Sequence, residues 1–402
     1  MHPETTDRTH GATPGAARND ETGAGQRRSV PYSYPRRVLL AVAGLSPQVV
    51  TETIYALAMQ TEPAFVPTEV RLVTTSEGAE RARLSLLSKD PGWLGRLVRD
   101  YDLPPIAFTV DHIQLLRDAN GTPLADIRGR DDNECVADQL SETVRQLTAD
   151  PDCALHVSLA GGRKTMGYYA GYILSLFGRP QDRLSHVLVS EPFEQSWDFF
   201  YPTPYARVIT TRDNKLADTQ NARVTLAPVP FVRLRDGLPE RLLAGQASFG
   251  ETIAAAQRAF EPPALVIDLP NQRIRVAGER VALAPAPLAF YAMMARRRKQ
   301  GLHAARWDTD GIAEQYLSEY RRIVGDFSGE LERVETALAD GMSDEYFDQR
   351  KSRTNAALTK ALGAQLAKPY LIQGDGKRPR TRYGLRLDPD AIRFGAPVEA
   401  GN

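Results

Sequence analysis

The sequence carries two neighbouring cations and a hydroxyl directly after a pair of glycines, within the run LHVSLAGGRKTM. The residues concerned are Gly161, Gly162, Arg163, Lys164 and Thr165. Glycines let backbone N–H groups approach a ligand closely, and the first amides of a helix favour an anion. The pattern predicts a phosphate site between a strand and a helix, with a tight turn and incidental surface charge as the alternative.

The same run differs from two common nucleotide-binding fingerprints. A Walker loop needs lysine directly after glycine, whereas Arg163 stands before Lys164 here. The third glycine of a dinucleotide fingerprint is also missing. The prediction is therefore limited to a phosphate-binding loop.

Two further loops carry small polar residues after predicted strands. The run AGLSPQVVT contains Gly44, Ser46 and Gln48, and the run TTSEG contains Thr75. Ser46 before Pro47 is also the pattern of a helix N-cap, which is the structural alternative. If the strands are parallel, the three loops meet at one rim.

Metal chemistry is not expected from the sequence. The histidines stand at 2, 10, 112, 156, 186 and 303, without the spacing of a metal site. His156 and His186 fall in predicted strands and are interpreted as core residues. No Gly-x-Ser-x-Gly elbow or Cys/His pair indicates a hydrolase triad. Cleavage of a phosphodiester would then use a ribose 2′-OH as nucleophile, with positioning and charge stabilisation supplied by the protein.

Short apolar runs alternate with helical stretches from residue 36 to about residue 211. Strands are predicted at 37–43, 69–74, 106–110, 154–159 and 184–189. Helices are predicted at 47–59, 77–87, 132–148 and 164–177. This alternation favours a Rossmann-like, doubly wound parallel sheet, which binds ligands at the carboxyl ends of its strands.

The chain divides into four segments by composition and pattern. They are a disordered tail without the apolar core of a signal peptide (1–30), the α/β domain (31–211), a connector (212–263) and a smaller α+β domain (264–395). In the last segment, the pattern predicts three short strands, several helices and a basic hairpin, in the order that is typical of a winged helix.

Composition excludes several classes of protein. The 402 residues carry 50 Lys+Arg and 50 Asp+Glu, so no overall field favours nucleic acid or membrane. The longest apolar run, 38–45, is far shorter than the roughly 20 residues of a spanning helix. Two cysteines cannot form a disulfide framework or a four-cysteine zinc site. We therefore expect a cytoplasmic protein that contacts no membrane and needs no cofactor.

Three runs resemble one known family. The runs VLLAVAGLSPQVVTETIYAL, RLVTTSEGAERAR and HVSLAGGRKTMGYYAGYILSLFG are similar to CARF-domain ring nucleases of type III CRISPR systems, over residues 36–211. The resemblance implies a homodimer that binds cyclic oligoadenylate, most often the tetra-adenylate. It also implies metal-independent cleavage to 2′,3′-cyclic phosphate ends, which switches off antiviral signalling. Some CARF domains only sense the ring, so a regulator without turnover is the alternative.

The resemblance also assigns roles to individual residues. It implies that Lys164 and Ser46 carry catalysis, with Lys164 stabilising the charged phosphorane and Ser46 orienting the ribose phosphate. Arg163, Thr165 and the amides of 161–162 would hold phosphates. The loop residues Gly44, Gln48 and Thr75 are weaker ligand candidates.

The C-terminal segment resembles a winged helix and is strongly basic. Residues 350–386 hold 10 Lys and Arg against one Asp, a net charge of +9. Such a pole is expected of a DNA or RNA contact, with a solvated face or a dimer contact as the alternative. The candidate contacts are Arg350, Lys351, Arg353, Lys360, Lys377, Arg378, Arg380 and Arg382.

One spacing predicts a rival activity. Arg298 and His303 fit the Arg-x(4–6)-His motif of HEPN ribonucleases, which many CARF effectors carry. However, Gly301 is expected to end the preceding helix before His303, and Lys299 replaces the usual polar residue after the arginine. An effector ribonuclease is therefore the weaker alternative.

Overall fold

A computed structural model describes residues 30–258, 261–376 and 380–395. The predicted disordered tail lies outside these residues apart from Val30, as do the candidate contacts Lys377 and Arg378. Among the residues described, no helix combines the length and the apolar character needed to cross a bilayer.

The N-terminal part alternates strands and helices. Its strands are β1 (Arg36–Val42), β2 (Glu69–Thr74), β3 (Ile113–Leu115), β4 (Cys153–Ser158), β5 (Arg183–Val189), β6 (Val208–Thr210), β7 (Leu216–Asp218) and β8 (Val224–Pro228). Its helices are α1 (Gln48–Met59), α2 (Ser76–Ala82), α3 (Trp93–Asp100), α4 (Arg130–Ala149), α5 (Lys164–Phe177), α6 (Glu240–Leu243) and α7 (Phe249–Gln257). The predicted starts and ends of β2 and α5 are confirmed to the residue.

Six of these strands form one mostly parallel sheet. Their order is β3-β2-β1-β4-β5-β8, with β8 antiparallel to β5 and the other pairs parallel. The central strand β1 aligns Val42 with Val73 of β2 and Ala41 with Ser158 of β4. The chain therefore reverses its direction of winding between β1 and β4, and a crevice opens outside the strands at such a point.

Helices cover both faces of the sheet. Val38 and Leu40 of β1 pack with residues of α4 and α5, whereas Leu39 and Ala41 pack with residues of α1 and α3. Because successive strand residues point to opposite faces, a strand buried on both sides is continuously apolar. The prediction of a doubly wound α/β sheet is confirmed.

The third strand was predicted at the wrong position. Residues 106–110 form no strand, and Ala107 makes only an isolated bridge to Glu69. A short turn follows, in which the Thr109 hydroxyl and His112 Nδ1 lie 2.9 Å apart, and β3 begins after it. The apolar run 106–110 only leads up to the sheet, because regular pairing with β2 begins after this turn.

The segment predicted as a connector contributes to the sheet. Within residues 212–263, β8 pairs with β5 through Val224 and Val189, and α7 packs on α4. Arg241 and Arg258 both contact Glu279 of the C-terminal part. The segment thus adds the antiparallel edge strand and also contacts the domain that follows.

The C-terminal part combines a small sheet, five helices and a hairpin among the described residues. Its strands are β9 (Leu265–Asp268), β10 (Arg273–Val276), β11 (Glu279–Val281), β12 (Gln373–Asp375), β13 (Arg382–Gly384) and β14 (Ile392–Phe394). Its helices are α8 (Pro285–Lys299), α9 (Ile312–Val324), α10 (Gly329–Ala337), α11 (Asp344–Leu362) and α12 (Ala364–Ala367).

The helix α8 is the centre of this part. Residues 288–295 are all buried, and α9 and α11 pack against the helix. The four-stranded sheet has the order β11-β10-β9-β14, and β12 pairs with β13 as a separate hairpin. The predicted glycine at the end of α11 is confirmed, since Gly363 follows the helix with a φ of 78°.

Candidate functional site

Three loops converge at the carboxyl edge of the sheet. A Cβ on Gly44 would lie 3.2 Å from the Cα of Gly162, so the loops after β1 and β4 touch through their backbones. The loop after β2 joins them, because Thr74 Oγ1 donates a hydrogen bond of 3.3 Å to the Gly44 carbonyl. The predicted meeting of the three loops on one rim is confirmed.

The glycine pair after β4 is required by its surroundings. Gly162 has a φ of 75°, and a Cβ at this position would lie 2.8 Å from Met166 Sδ. A Cβ on Gly161 would lie 2.9 Å from the Val42 carbonyl. Side chains would therefore push the β4–α5 loop away from β1, and only glycines allow this approach.

Lys164 is the first residue of α5 and is exposed. Among the residues that the structure describes, its ammonium group has no ion-pair or hydrogen-bond partner. Thr165 is exposed beside it, and the N-cap Arg163 provides no side-chain cap for the helix. The first amides of α5 and an unpaired cation thus face solvent together, which is the arrangement that favours an anion.

Arg163 differs from its neighbour because it has a carboxylate partner. Its Nε lies 2.9 Å from Asp126 Oδ1, and its Nη2 contacts Asp126 Oδ2. The arginine lowers the pKa of Asp126, and the carboxylate raises that of Arg163. No sequence motif marks Asp126, which lies in the loop before α4.

The loop after β1 presents Ser46 at the surface. The N-cap interpretation of Ser46 is wrong, because α1 begins after Pro47 and has no side-chain cap. The proline supplies the first turn itself, with its carbonyl accepting from Val50 N at 3.1 Å. Among the described residues, the Ser46 hydroxyl has no hydrogen-bond partner, so it is available to a ligand.

Gln48 and Thr75 are held by the protein rather than directed freely to solvent. Gln48 Nε2 donates to the Trp197 carbonyl at 2.9 Å, and its Oε1 is buried without a partner in the part of the chain described. Thr75 is 4% exposed and its hydroxyl accepts from Gly78 N at the start of α2. The geometry favours positioning of the loops as the role of both residues.

An aromatic cleft of about 560 Å³ adjoins the loop after β1. Its walls include Trp93, Trp197 and Arg207 together with Gln48. The Arg207 guanidinium lies 4.4 Å from the centre of the Trp93 ring, and Trp197 is 76% exposed. No sequence pattern marks this cleft, because its walls come from parts of the chain that are far apart.

The buried histidine of β4 is a core residue, as predicted. His156 is 5% exposed and its Nε2 lies 2.7 Å from Ser185 Oγ. Burial lowers its pKa to about 3, so the ring is neutral at physiological pH. His186 lies in β5 and is partly buried. Within the described ranges, no group of three His, Cys, Asp or Glu side chains is arranged to hold a metal ion.

In the structure, some cations of the predicted basic surface pack against aromatic rings and others are exposed. Arg350 lies over the Tyr346 ring at 4.2 Å, and Lys351 Nζ lies 3.7 Å from the centre of the Tyr383 ring. The Lys351 side chain is 14% exposed and also pairs with Asp348. These two cations pack within the C-terminal part, whereas the sequence pattern treated them as surface charges.

The other described candidate contacts of this region are exposed. They are Arg353, Lys360, Arg380 and Arg382. Lys360 Nζ lies 4.0 Å from Glu240 Oε2, which places it beside the start of α6. Arg353 of α11 and the two arginines of the hairpin region therefore form the open part of the predicted nucleic-acid surface.

The spacing of Arg298 and His303 does not place both residues on one helix. Helix α8 ends at Lys299, and Gly301 has a φ of 69°. His303 therefore lies beyond the helix, as predicted. Both side chains nevertheless line a pocket beside the hairpin, where Arg298 Nε donates to the Leu387 carbonyl at 2.7 Å.

The fold and its rim define an α/β protein with a mostly parallel sheet, whose ligand crevice lies at the carboxyl ends of its strands. Residues 46–262 match the model of the CRISPR-associated protein NE0113 family, so the chain belongs to that family. Among curated proteins, none matches the chain.

Among solved structures, the chain is similar to Enterococcus italicus Csm6 bound to cyclic hexa-2′-fluoro-hexa-dAMP. The identity is 10% and the TM-score 0.25, over 81% of this chain and 60% of Csm6. The chain thus spans less than two thirds of the length of Csm6. A similarity of this size carries no inference about function.

Proposed function

We propose that the N-terminal part binds a cyclic oligoadenylate, the tetra-adenylate in the first instance, and cleaves it without a metal ion. The observation that carries the proposal is the exposed, unpaired Lys164 at the start of α5, beside the glycine pair where the winding of the sheet reverses. Membership of a CRISPR-associated family supports a role in antiviral defence. Removal of the messenger in the cytoplasm would switch off type III CRISPR signalling.

The chemistry follows from the groups at this rim. A ribose 2′-OH of the ring attacks its own adjacent phosphorus, and the 5′-oxygen leaves with a proton. The products are a 2′,3′-cyclic phosphate and a 5′-OH, so atoms and charge balance without a co-reactant. Lys164 stabilises the additional negative charge of the phosphorane, which is the charge that develops in the transition state.

The neighbouring groups bind and orient the ring. The free hydroxyl of Ser46 holds the scissile ribose phosphate, and the amides of 161–162 and the hydroxyl of Thr165 hold phosphate oxygens. Arg163 joins them when a phosphate competes with Asp126 for its guanidinium. The aromatic cleft beside Gln48 offers the exposed Trp197 ring to an adenine base.

A second copy of the chain completes the proposed site. Lys164, Tyr168 and Tyr172 recur every four residues and so share one face of α5. Tyr168 is 67% exposed, an unusual exposure for a large aromatic side chain on a helix. A rotationally symmetric ring suits a two-fold interface, in which each chain contributes one Lys164.

The deciding experiment is incubation of the purified protein with cyclic tetra-adenylate in EDTA, followed by chromatography of the products. Linear fragments ending in 2′,3′-cyclic phosphate are expected, in amounts unaffected by EDTA. Calorimetry should give one ring per two chains. Recovery of bound but intact ring would exclude turnover and leave the alternative of a sensor.

The C-terminal part favours a second candidate function, a DNA-binding regulator that responds to the ring. Its exposed cations Arg353, Arg380 and Arg382 lie on α11 and at the hairpin, the elements of a recognition helix and a wing. Phosphate contacts by such cations position a protein on a duplex. If ring binding changes DNA affinity, DNA must change ring affinity by the same factor.

A further inference from the structure

A basic pocket of about 310 Å³ lies in the C-terminal part, away from the rim of the large sheet. It is formed by the end of α8, the segment 301–304 and the hairpin β12–β13. Ala305 and Tyr383 join this segment to the hairpin through two backbone hydrogen bonds of 2.7 and 2.8 Å. The backbone pairing gives the pocket a fixed wall.

The pocket contains a buried cation, Arg297, that has no counterion among the described residues. Arg297 is 9% exposed, and its guanidinium donates to Gln315 Oε1 at 2.7 Å and to the His303 carbonyl at 2.9 Å. These two bonds leave other donors of the guanidinium unused. Both acceptors are neutral, and within the described residues no carboxylate forms an ion pair with Arg297. Burial and the nearby Arg382 lower its pKa.

The preceding residue on the same helix, Arg296, does have a carboxylate counterion. Arg296 pairs with Glu319, which is 3% exposed, through two hydrogen bonds. The fold therefore supplies a buried carboxylate to one arginine and leaves its neighbour without one. Burial of an unpaired charge destabilises the folded protein, and a bound anion would offset this cost.

Further cations line the same pocket. Arg298 and Arg386 donate to the carbonyls of Leu387 and Gly374, at 2.7 and 3.5 Å. Neither has a carboxylate partner in the part of the chain that the structure describes. The lining also includes Asp375, so three arginines face one acidic side chain there.

We propose that this pocket binds a phosphate group between Arg297, Arg298 and Arg386. A planar guanidinium matches two oxygens of a phosphate, and such charge-assisted hydrogen bonds are stronger than neutral ones. Nothing in the ring-cleavage proposal requires this site. A nucleic-acid strand and a free phosphorylated compound share the chemistry that it recognises.

The first test is thermal unfolding of the full chain with and without inorganic phosphate, at constant ionic strength. A ligand that binds only the folded state raises the melting temperature. We expect phosphate to stabilise the wild-type protein and its control variant Arg322→Gln, which removes an exposed arginine of α9. Calorimetry should show about a tenfold or greater loss of phosphate affinity in Arg297→Gln.

A second variant covers the risk that Arg297→Gln impairs folding. Arg386 is exposed, so Arg386→Gln should keep the fold, checked by circular dichroism, and still weaken phosphate binding. Equal phosphate affinity in the wild type and in Arg386→Gln would overturn the proposal. Arg297 and Arg298 would then serve only the hydrogen bonds that they already make, to Gln315 Oε1 and to the carbonyls of His303 and Leu387.

Competition separates the two sources of the phosphate. Inorganic phosphate should displace a fluorescent DNA duplex from the wild-type protein, and Arg386→Gln should bind that duplex more weakly, if the pocket takes a strand. If phosphate binds and neither effect on DNA appears, the pocket serves a small phosphorylated compound. Both results support a phosphate site, and they differ only in the ligand that carries the group.

Discussion

The sequence pattern predicted that both Lys164 and Lys351 bind ligands, but the structure gives the two lysines opposite surroundings. Lys164 is exposed at the start of a helix, and it has no counterion among the described residues. Lys351 lies on the Tyr383 ring, pairs with Asp348 and is 14% exposed. A cation placed by a strand, two glycines and a helix start is fixed by local backbone geometry. For a cation that was selected only because its stretch of sequence is basic, exposure depends on which side of its helix is buried.

The largest expected effect is that of Lys164→Ala on ring cleavage. Removal of a preorganised charge near a developing oxyanion costs about 10²–10³ in rate. We expect a loss of that size in the rate of cleavage, measured by chromatography, with binding partly retained. The matched control is Lys215→Ala, which removes an exposed lysine from the turn between β6 and β7. Unchanged turnover in Lys164→Ala would show that Lys164, although exposed, has no role in cleavage.

The next effect concerns the divided basic surface. Arg353→Glu should weaken binding to every DNA sequence alike and make the slope of log affinity against log salt shallower by about 0.9, the value for one neutralised phosphate. Lys360→Glu should have a smaller effect, because Glu240 already lies beside that lysine. Fluorescence anisotropy over a salt series measures both slopes, and ring cleavage should survive in both variants. Equal slopes in the two variants would show that the Glu240 carboxylate beside Lys360 does not affect DNA binding.

A smaller effect is expected when Arg163 loses its partner. Asp126→Asn removes the ion pair between a partly buried carboxylate and an exposed arginine, and such surface pairs contribute little to stability. The freed guanidinium should then raise the affinity for cyclic tetra-adenylate by up to about fivefold. Asp213→Asn, in the turn before β7, is the control for loss of an exposed acid. Weaker ring binding in Asp126→Asn would mean that Asp126 positions Arg163 for the ligand.

The last effect is on stability rather than on ligand binding, and it concerns the helix that follows the Ser46 loop. Glu52 of α1 is partly buried, and burial raises its pKa to about 8. Its folded pKa lies above its unfolded value, so the folded protein binds the additional proton. Stability is therefore lost as the pH rises from about 4.5 through 8, with a slope of at most about 1.4 kcal/mol per pH unit.

Glu52→Gln should remove this pH dependence and unfold at higher denaturant concentration than the wild type above pH 8. The control Glu62→Gln, at an exposed position after α1, should keep the slope. Denaturation curves between pH 5 and about pH 9 test both variants. Parallel pH profiles of Glu52→Gln and the wild type would contradict the assignment to Glu52.

The elements that were predicted correctly have strong local signals. Helix α5 was predicted at its observed position because glycines precede it and apolar residues recur along it. The third strand was misplaced because β3 has three residues and is defined by pairing with Leu72–Thr74 rather than by its own pattern. The N-cap at Ser46 was wrong because Pro47 begins the turn without help from a side chain.

The sequence by itself determined the alternation of strands and helices and the loop that presents Lys164, because each depends on neighbours within a few residues. The parallel sheet was inferred from that alternation. Only the tertiary structure decided which charges are compensated. Asp126 reaches Arg163 across 37 residues, Tyr383 covers Lys351, and Arg297 meets Arg386 in a pocket that no single run contains. Charge compensation is decided by distances of a few ångströms in space, and separation along the chain does not report those distances.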